Sequence, residues 1–110
     1  MFNRGAHVVN IASMGGVQGS KKFPGLAAYS SSKGALAILT EILAEELAEQ
    51  DIRVNCLALG SVQTEMFAKA FPGAKANLNP VQMAQYIADF AINGQKYFNG
   101  KVVPVSMSTP

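Results

Sequence analysis

The sequence predicts an α/β protein, three parallel strands joined by crossover helices, arranged as half of a doubly wound sheet. Three observations lead there. Short runs of near-continuous apolar, β-branched residues alternate with segments of helical period, as expected of strands covered on both faces by helices. The order is strand, helix, strand, helix, strand, which favours parallel pairing through right-handed crossovers; a complete doubly wound fold has two such halves. The chain has 110 residues, 49% of them apolar and only 15% charged, so it forms one small, well-buried domain rather than a disordered segment.

Residues 7–12 (HVVNIA) read as the first buried strand. Residues 14–25 hold Gly15, Gly16, Gly19, Pro24 and Gly25 and read as a loop. From about Ala27 to Gln50 the period turns helical. At 100° per residue Leu36, Leu39, Leu43 and Leu47 form one stripe, expected to face the sheet, with Ala37, Ala44 and Ala48 beside it for close packing. Glu41, Glu45 and Glu49 line the opposite side as a solvated face. Ile38 and Ile42 also fall on that polar side, one turn apart, and fit either a partner surface or chance exposure.

Residues 52–59 (IRVNCLAL) read as the second buried strand, and residues 60–79 as irregular, with a short helix around 65–70. Asn79-Pro80 opens another helix, Asn as its cap and Pro in the first turn. Met83, Ile87, Phe90 and Ala91 recur at helical spacing, and Gly94 stops the helix. Residues 101–105 (KVVPV) read as a third strand, held to a sheet edge by Pro104, which has no N–H to donate.

Composition excludes several classes of function. The net charge is +2 with the basic residues scattered, which gives no phosphate-tracking patch and no case for nucleic acid. One Cys rules out an internal disulfide framework and supplies no zinc site, and it fits a reducing, cytoplasmic setting. No apolar run is long enough to span a membrane, and no signal peptide is recognisable.

The chemistry candidates are few. No G-x-G-x-x-G follows a strand, and no P-loop is complete. The lone His7 has no nucleophile motif beside it and reads as a surface residue; Cys56 reads as a core thiol. What is left is Tyr29 and Lys33, four apart on one helix face, with Ser13 upstream where the first strand leaves the sheet at its carboxyl end. Ligands of open α/β sheets bind at that end. A phenol ionises at about pH 10 in water, so a base working near neutrality needs about 3 to 4 kcal/mol of help. One cation at about 4 Å supplies roughly 4 kcal/mol at an effective dielectric of about 20. Ser13 could then hold a carbonyl oxygen while Tyr29 gives or takes its proton. A surface Tyr and Lys with no chemistry would give the same Y-x-x-x-K spacing.

Several motifs in order resemble the carboxyl-terminal half of the short-chain dehydrogenase/reductases. Val9-Asn10-Ile11-Ala12-Ser13 resembles the strand that ends in that family's catalytic serine. Tyr29 to Lys33 resembles its Y-x-x-x-K element, and Arg53-Val54-Asn55-Cys56 its R-V-N strand. Leu59-Gly60-Ser61-Val62-Gln63-Thr64 resembles its P-G-x-V-x-T loop, with Leu59 in place of the proline, and 100–105 its closing strand. The resemblance implies a Rossmann-like domain and an NAD- or NADP-dependent oxidoreductase passing hydride between nicotinamide and a small carbonyl or alcohol substrate. It implies that Ser13 orients the substrate oxygen, that Tyr29 is the general acid/base, and that Lys33 binds the nicotinamide ribose and favours the phenolate. Gly60, Val62 and Thr64 would border the nicotinamide, and the Tyr–Lys helix, through Ile38 and Ile42, would build a homo-oligomer.

Two departures matter. Ser13 and Tyr29 lie 16 positions apart, a few more than is usual in the family. The family's Gly-rich dinucleotide turn and catalytic Asn helix have no counterpart, so residues 1–110 are expected to be a partial domain, inactive alone and stable only by self-association or beside the other half. The competing reading is a non-catalytic interaction and oligomerisation module built on the same half-fold.

Overall fold

The computed structural model describes residues 5–13, 27–60 and 79–106. Five main elements follow in order: β1 (His7–Ser13), α1 (Ala27–Glu46), β2 (Arg53–Leu59), α2 (Pro80–Asn93) and β3 (Val102–Val105). The sheet order is β1-β2-β3, all parallel. Register runs from His7 opposite Arg53 to Ser13 opposite Leu59, and from Cys56 opposite Val102 to Leu59 opposite Val105. The α/β reading therefore holds, with strand ends within one residue of those expected. β2 is central, and Val54 to Ala58 are all buried. β3 is the outer strand, and Pro104 stands exposed in it, as a residue without an amide donor should.

α1 stops at Glu46, short of the expected Gln50, and Ala48–Gln50 tighten into a 3₁₀ turn. Asp51 then takes a left-handed backbone (φ 56°) and reverses the chain toward β2. The stripe of α1 that meets the sheet also differs from the leucine stripe. Its two buried residues are Thr40 and Ala44, while Leu39 is 45% exposed. Ala44 packs with Ile52 and Val54, and Ala6, Val8, Leu43 and Leu47 close this cluster from the sides. Small residues at the centre let the helix lie close to the strands, and the larger leucines flank the contact.

α2 begins as expected. The Asn79 side chain accepts from the Gln82 amide at 2.8 Å and the Gln82 side chain accepts from the Asn79 amide at 3.3 Å, a reciprocal cap with Pro80 at the first position. Met83 and Phe90 are its buried residues, whereas Ala91 is exposed. Gly94 ends the α-helix, but with ordinary right-handed angles (φ −62°), and a 3₁₀ turn continues to Lys96. Glycine is needed there for space: a Cβ would come within 2.8 Å of the Phe90 ring.

Side chains alternate along β1 between the two helical layers. Asn10 bonds Thr40 of α1. On the other face His7 stacks near Phe90 of α2, ring centroids 5.5 Å apart, and bonds the Ala91 carbonyl. The two helices thus cover opposite faces of the sheet. Two right-handed crossovers stepping in one direction would put both helices on one face, so the expectation of uniform right-handed crossovers is corrected here.

Candidate active site

The carboxyl ends of β1 and β2 lie side by side. Ser13 closes β1 opposite Leu59, and Gly60 follows Leu59 directly. The Gly60 amide donates to the Val105 carbonyl at 2.9 Å, which ties this edge to the end of β3. A Cβ on Gly60 would collide with the Ser106 side chain, so close approach of two chain segments requires glycine here.

Tyr29 and Lys33 sit in the first two turns of α1. At 100° per residue they share a stripe with Thr40 and Ala44, so the buried contact of the helix turns this pair toward β1. The Lys33 ammonium lies 5.7 Å from the Tyr29 ring centroid, within cation–π range. It also donates to the Ile11 carbonyl at 3.4 Å, a long bond, two residues before Ser13 on the same strand. Tyr29 is 38% exposed.

The structure thus brings Tyr29 and Lys33 together over the carboxyl end of β1, and brings Ser13 and Gly60 to the same sheet edge. Strand alternation assigns Ser13 to the α2 face, opposite Asn10 and Ala12, while Lys33 reaches the strand two residues earlier at the Ile11 carbonyl. Val62 and Thr64 lie outside the described residues, as do the 14–25 loop and the 65–70 segment.

Two polar clusters support this edge, and neither stands out from sequence. On the α1 face the Thr40 hydroxyl donates to the Leu36 carbonyl and accepts from the Asn10 amide, both at 2.9 Å. The Cys56 thiol lies beside the Thr40 hydroxyl. Burial pushes the Cys56 thiol up, opposed in part by Thr40, the Ala12 backbone and the Lys33 charge, so the thiol stays protonated in the core.

On the α2 face Asn55, fully buried, is completely satisfied. Its Oδ1 accepts from the Lys101 amide at 3.1 Å; its Nδ2 donates to the Phe98 carbonyl and to His7 Nε2, both at 3.0 Å. These partners fix the amide orientation and make His7 Nε2 an acceptor, so Nδ1 carries the proton donated to the Ala91 carbonyl at 3.1 Å. His7 is therefore a half-buried tie between β1, β2 and α2, which corrects its reading as a surface residue. The partners of Asn55 lie 43 to 48 positions away, beyond any local pattern. Among the described residues no three His, Cys, Asp or Glu side chains gather to hold a metal ion, and no helix is long and apolar enough to cross a membrane.

Comparison with known proteins gives the same architecture. A diacetyl reductase ((S)-acetoin forming) of Staphylococcus aureus is 45% identical over 65 residues, 59% of this chain and 24% of that protein. Dehydrogenase/reductase SDR family member 4 of Mus musculus is 34% identical, covering 92% of this chain and 40% of its own length. A solved 4-hydroxyisoleucine dehydrogenase complexed with NADH superposes with a TM-score of 0.68 at 27% identity, over 90% of this chain and 44% of that one. The chain thus spans 24% to 44% of the length of these proteins. The family model for short chain dehydrogenase matches residues 1–75, more than half of the 110, and the three-stranded parallel sheet fits that match: the chain belongs to the short chain dehydrogenase family.

Proposed function

We propose that residues 1–110 form the proton-handling half of a Rossmann-like, nicotinamide-dependent oxidoreductase that interconverts a small ketone and its alcohol. The observation that carries this reading is the Lys33 ammonium held between the Tyr29 ring and the Ile11 carbonyl at the carboxyl end of β1. A fixed cation there offers positive charge to the negative charge that gathers on the reacting oxygen, without the reorganisation that water would need. Tyr29 delivers its proton to the substrate oxygen on reduction and takes it back on oxidation. Ser13 donates a hydrogen bond to that oxygen from the end of β1.

NAD or NADP fits the same residues. The bound nicotinamide supplies or accepts the hydride. Lys33 has one acceptor among the described residues, the distant Ile11 carbonyl, so it retains donors for ribose hydroxyls. Gly60 follows β2 at the edge where a nicotinamide would lie and keeps the chain flat against Ser106, and Val62 and Thr64 come two and four positions later in the sequence. The likeness to an NADH-bound dehydrogenase and to a diketone reductase supports this cofactor and this substrate class. The single, buried, free thiol suits a reducing compartment such as the cytoplasm.

The same helix also offers a surface to a second copy. Ile38 is 60%, Leu39 45% and Ile42 49% exposed along α1, and pairing two such helices would bury them in a homo-oligomer. This surface also favours the second reading, an interaction module without catalysis.

The test is complementation. The chain is mixed with the amino-terminal, dinucleotide-binding half of the S. aureus diacetyl reductase, and NADH or NADPH oxidation is followed with diacetyl as substrate. Oxidation that depends on both halves is the expected result. A mixture that binds cofactor yet never oxidises it would leave only the interaction module.

A further inference from the structure

We infer that Thr40 is a positioning residue: its hydrogen bond to Asn10 sets the placement of α1 on β1, and so holds Lys33 and Tyr29 over the strand end. Its functional meaning rests on the chemistry proposed above for that pair.

Only two residues of α1 are buried, Thr40 and Ala44. Ala44 packs against Ile52 and Val54, a contact with no preferred direction. Thr40 is wholly inaccessible, and its bonds do have direction. Its hydroxyl donates back into the helix to the Leu36 carbonyl and accepts from the Asn10 amide on β1. One oxygen therefore ties the helix directly to the strand. Asn10 immediately precedes Ile11, whose carbonyl is the Lys33 acceptor. Thr40 lies seven residues beyond Lys33 on the same stripe, about 10 Å along the axis.

The two bonds, Asn10 to Thr40 and Lys33 to Ile11, thus join the same helix to adjacent residues of the same strand. A roll or slide of α1 that broke the first would carry the ammonium off the second. Valine has nearly the shape of threonine and would fill the site without a polar group to satisfy. A threonine here, with an amide opposite, supplies direction that packing alone lacks.

The experiment uses this chain with ¹³C-labelled lysine and isoleucine, as wild type, Thr40→Val and Thr40→Ser. The Lys33–Ile11 nuclear Overhauser contact between helix and strand is read by NMR, and the ketone-reduction rate in the complementation assay. Thr40→Val should lose the contact and lower kcat about tenfold with KM unchanged, and Thr40→Ser should recover both. If Thr40→Val keeps the contact and the rate, the assignment is overturned. Should Thr40→Val fail to fold, Asn10→Leu, read in the same way, decides. Tyr29→Phe run in parallel separates the two ideas: an unchanged rate there removes the dehydrogenase reading, while the NMR contact still decides the role of Thr40.

Discussion

The Lys33 ammonium stands 5.7 Å from the centre of the Tyr29 ring and 3.4 Å from the Ile11 carbonyl oxygen. The lysine is thus anchored on the strand as well as set beside the phenol. Charge and placement can be separated by substitution. Lys33→Met keeps the stem and removes the charge, and should cost on the order of a hundredfold or more in turnover of the complemented protein. NADH should also bind more weakly, because the ribose loses its donor. Lys33→Arg keeps charge with a larger, planar head that does not match the Ile11 contact, and should restore only part of the rate. Steady-state kinetics and cofactor titration of the two variants check both points.

Cys56 makes a prediction about pH. Burial raises its thiol, so the folded state holds the proton more tightly than the unfolded chain. Its contribution to stability is complete below the unfolded thiol value, about pH 8.5. It is lost progressively above that, since the unfolded state then releases a proton that the folded state retains. Urea unfolding of wild type and Cys56→Ala should therefore differ most at pH 7. Above about pH 9 the difference should narrow as wild type loses its advantage. Parallel curves across that range would show that the thiol is not held protonated.

How far the sequence alone reveals this molecule depends on the range of each interaction. Strand order, the Asn79 cap and the edge position of Pro104 are local or nearly so, and the pattern shows them directly. Tyr29 and Lys33 are four apart on one helix, so their pairing is also legible. The face that α1 presents to the sheet is not. A search for an apolar stripe passes over Thr40, because the polar group at the centre of that contact is satisfied by Asn10, 30 positions away. It selects Leu39 instead, which is 45% exposed. His7 reads as a surface residue for the same reason: both nitrogens find partners, Asn55 and Ala91, through tertiary contact. The pattern marks Gly94 as a helix stop, but the need for it lies in the Phe90 ring rather than in a left-handed turn.

That glycine is directly testable. A methyl group at position 94 would meet three Phe90 ring carbons at 2.8 to 2.9 Å, and Phe90 is held by His7, Tyr86 and Phe98 around it. Alanine would favour the 3₁₀ turn by propensity, yet the overpacking should dominate. Gly94→Ala should destabilise by about 1 to 3 kcal/mol. Gly94→Ala combined with Phe90→Leu should recover part of that loss. Denaturant midpoints of the single and double variants measure both effects.

Asn55 should be among the most sensitive positions in the sheet. Removing its amide leaves the Lys101 N–H, the Phe98 carbonyl and His7 Nε2 without a partner inside the fold. Asn55→Ala should cost about 2 to 4 kcal/mol, the desolvation of several polar groups together with a small cavity. Asn55→Asp is the sharper probe. It places a second acceptor against the Phe98 carbonyl and against His7 Nε2 while changing volume little. A cost for Asn55→Asp comparable with that for Asn55→Ala, read from chemical unfolding, would show that donor placement and not bulk is what matters.

The α1 surface separates folding from association. Ile38 and Ile42 are 60% and 49% exposed, one turn apart and flanked by Glu41 and Glu45, while the contact that holds α1 to the sheet is made by Thr40 and Ala44. Charge introduced at both isoleucines should leave that contact intact and strengthen the acidic face. Ile38→Glu combined with Ile42→Glu should therefore shift the chain toward a monomer in sedimentation velocity, with a circular dichroism spectrum close to that of wild type. Repulsion among the added and existing carboxylates should make the effect weaker in high salt. An oligomer of unchanged mass would mean that these isoleucines are simply exposed and that association uses another face.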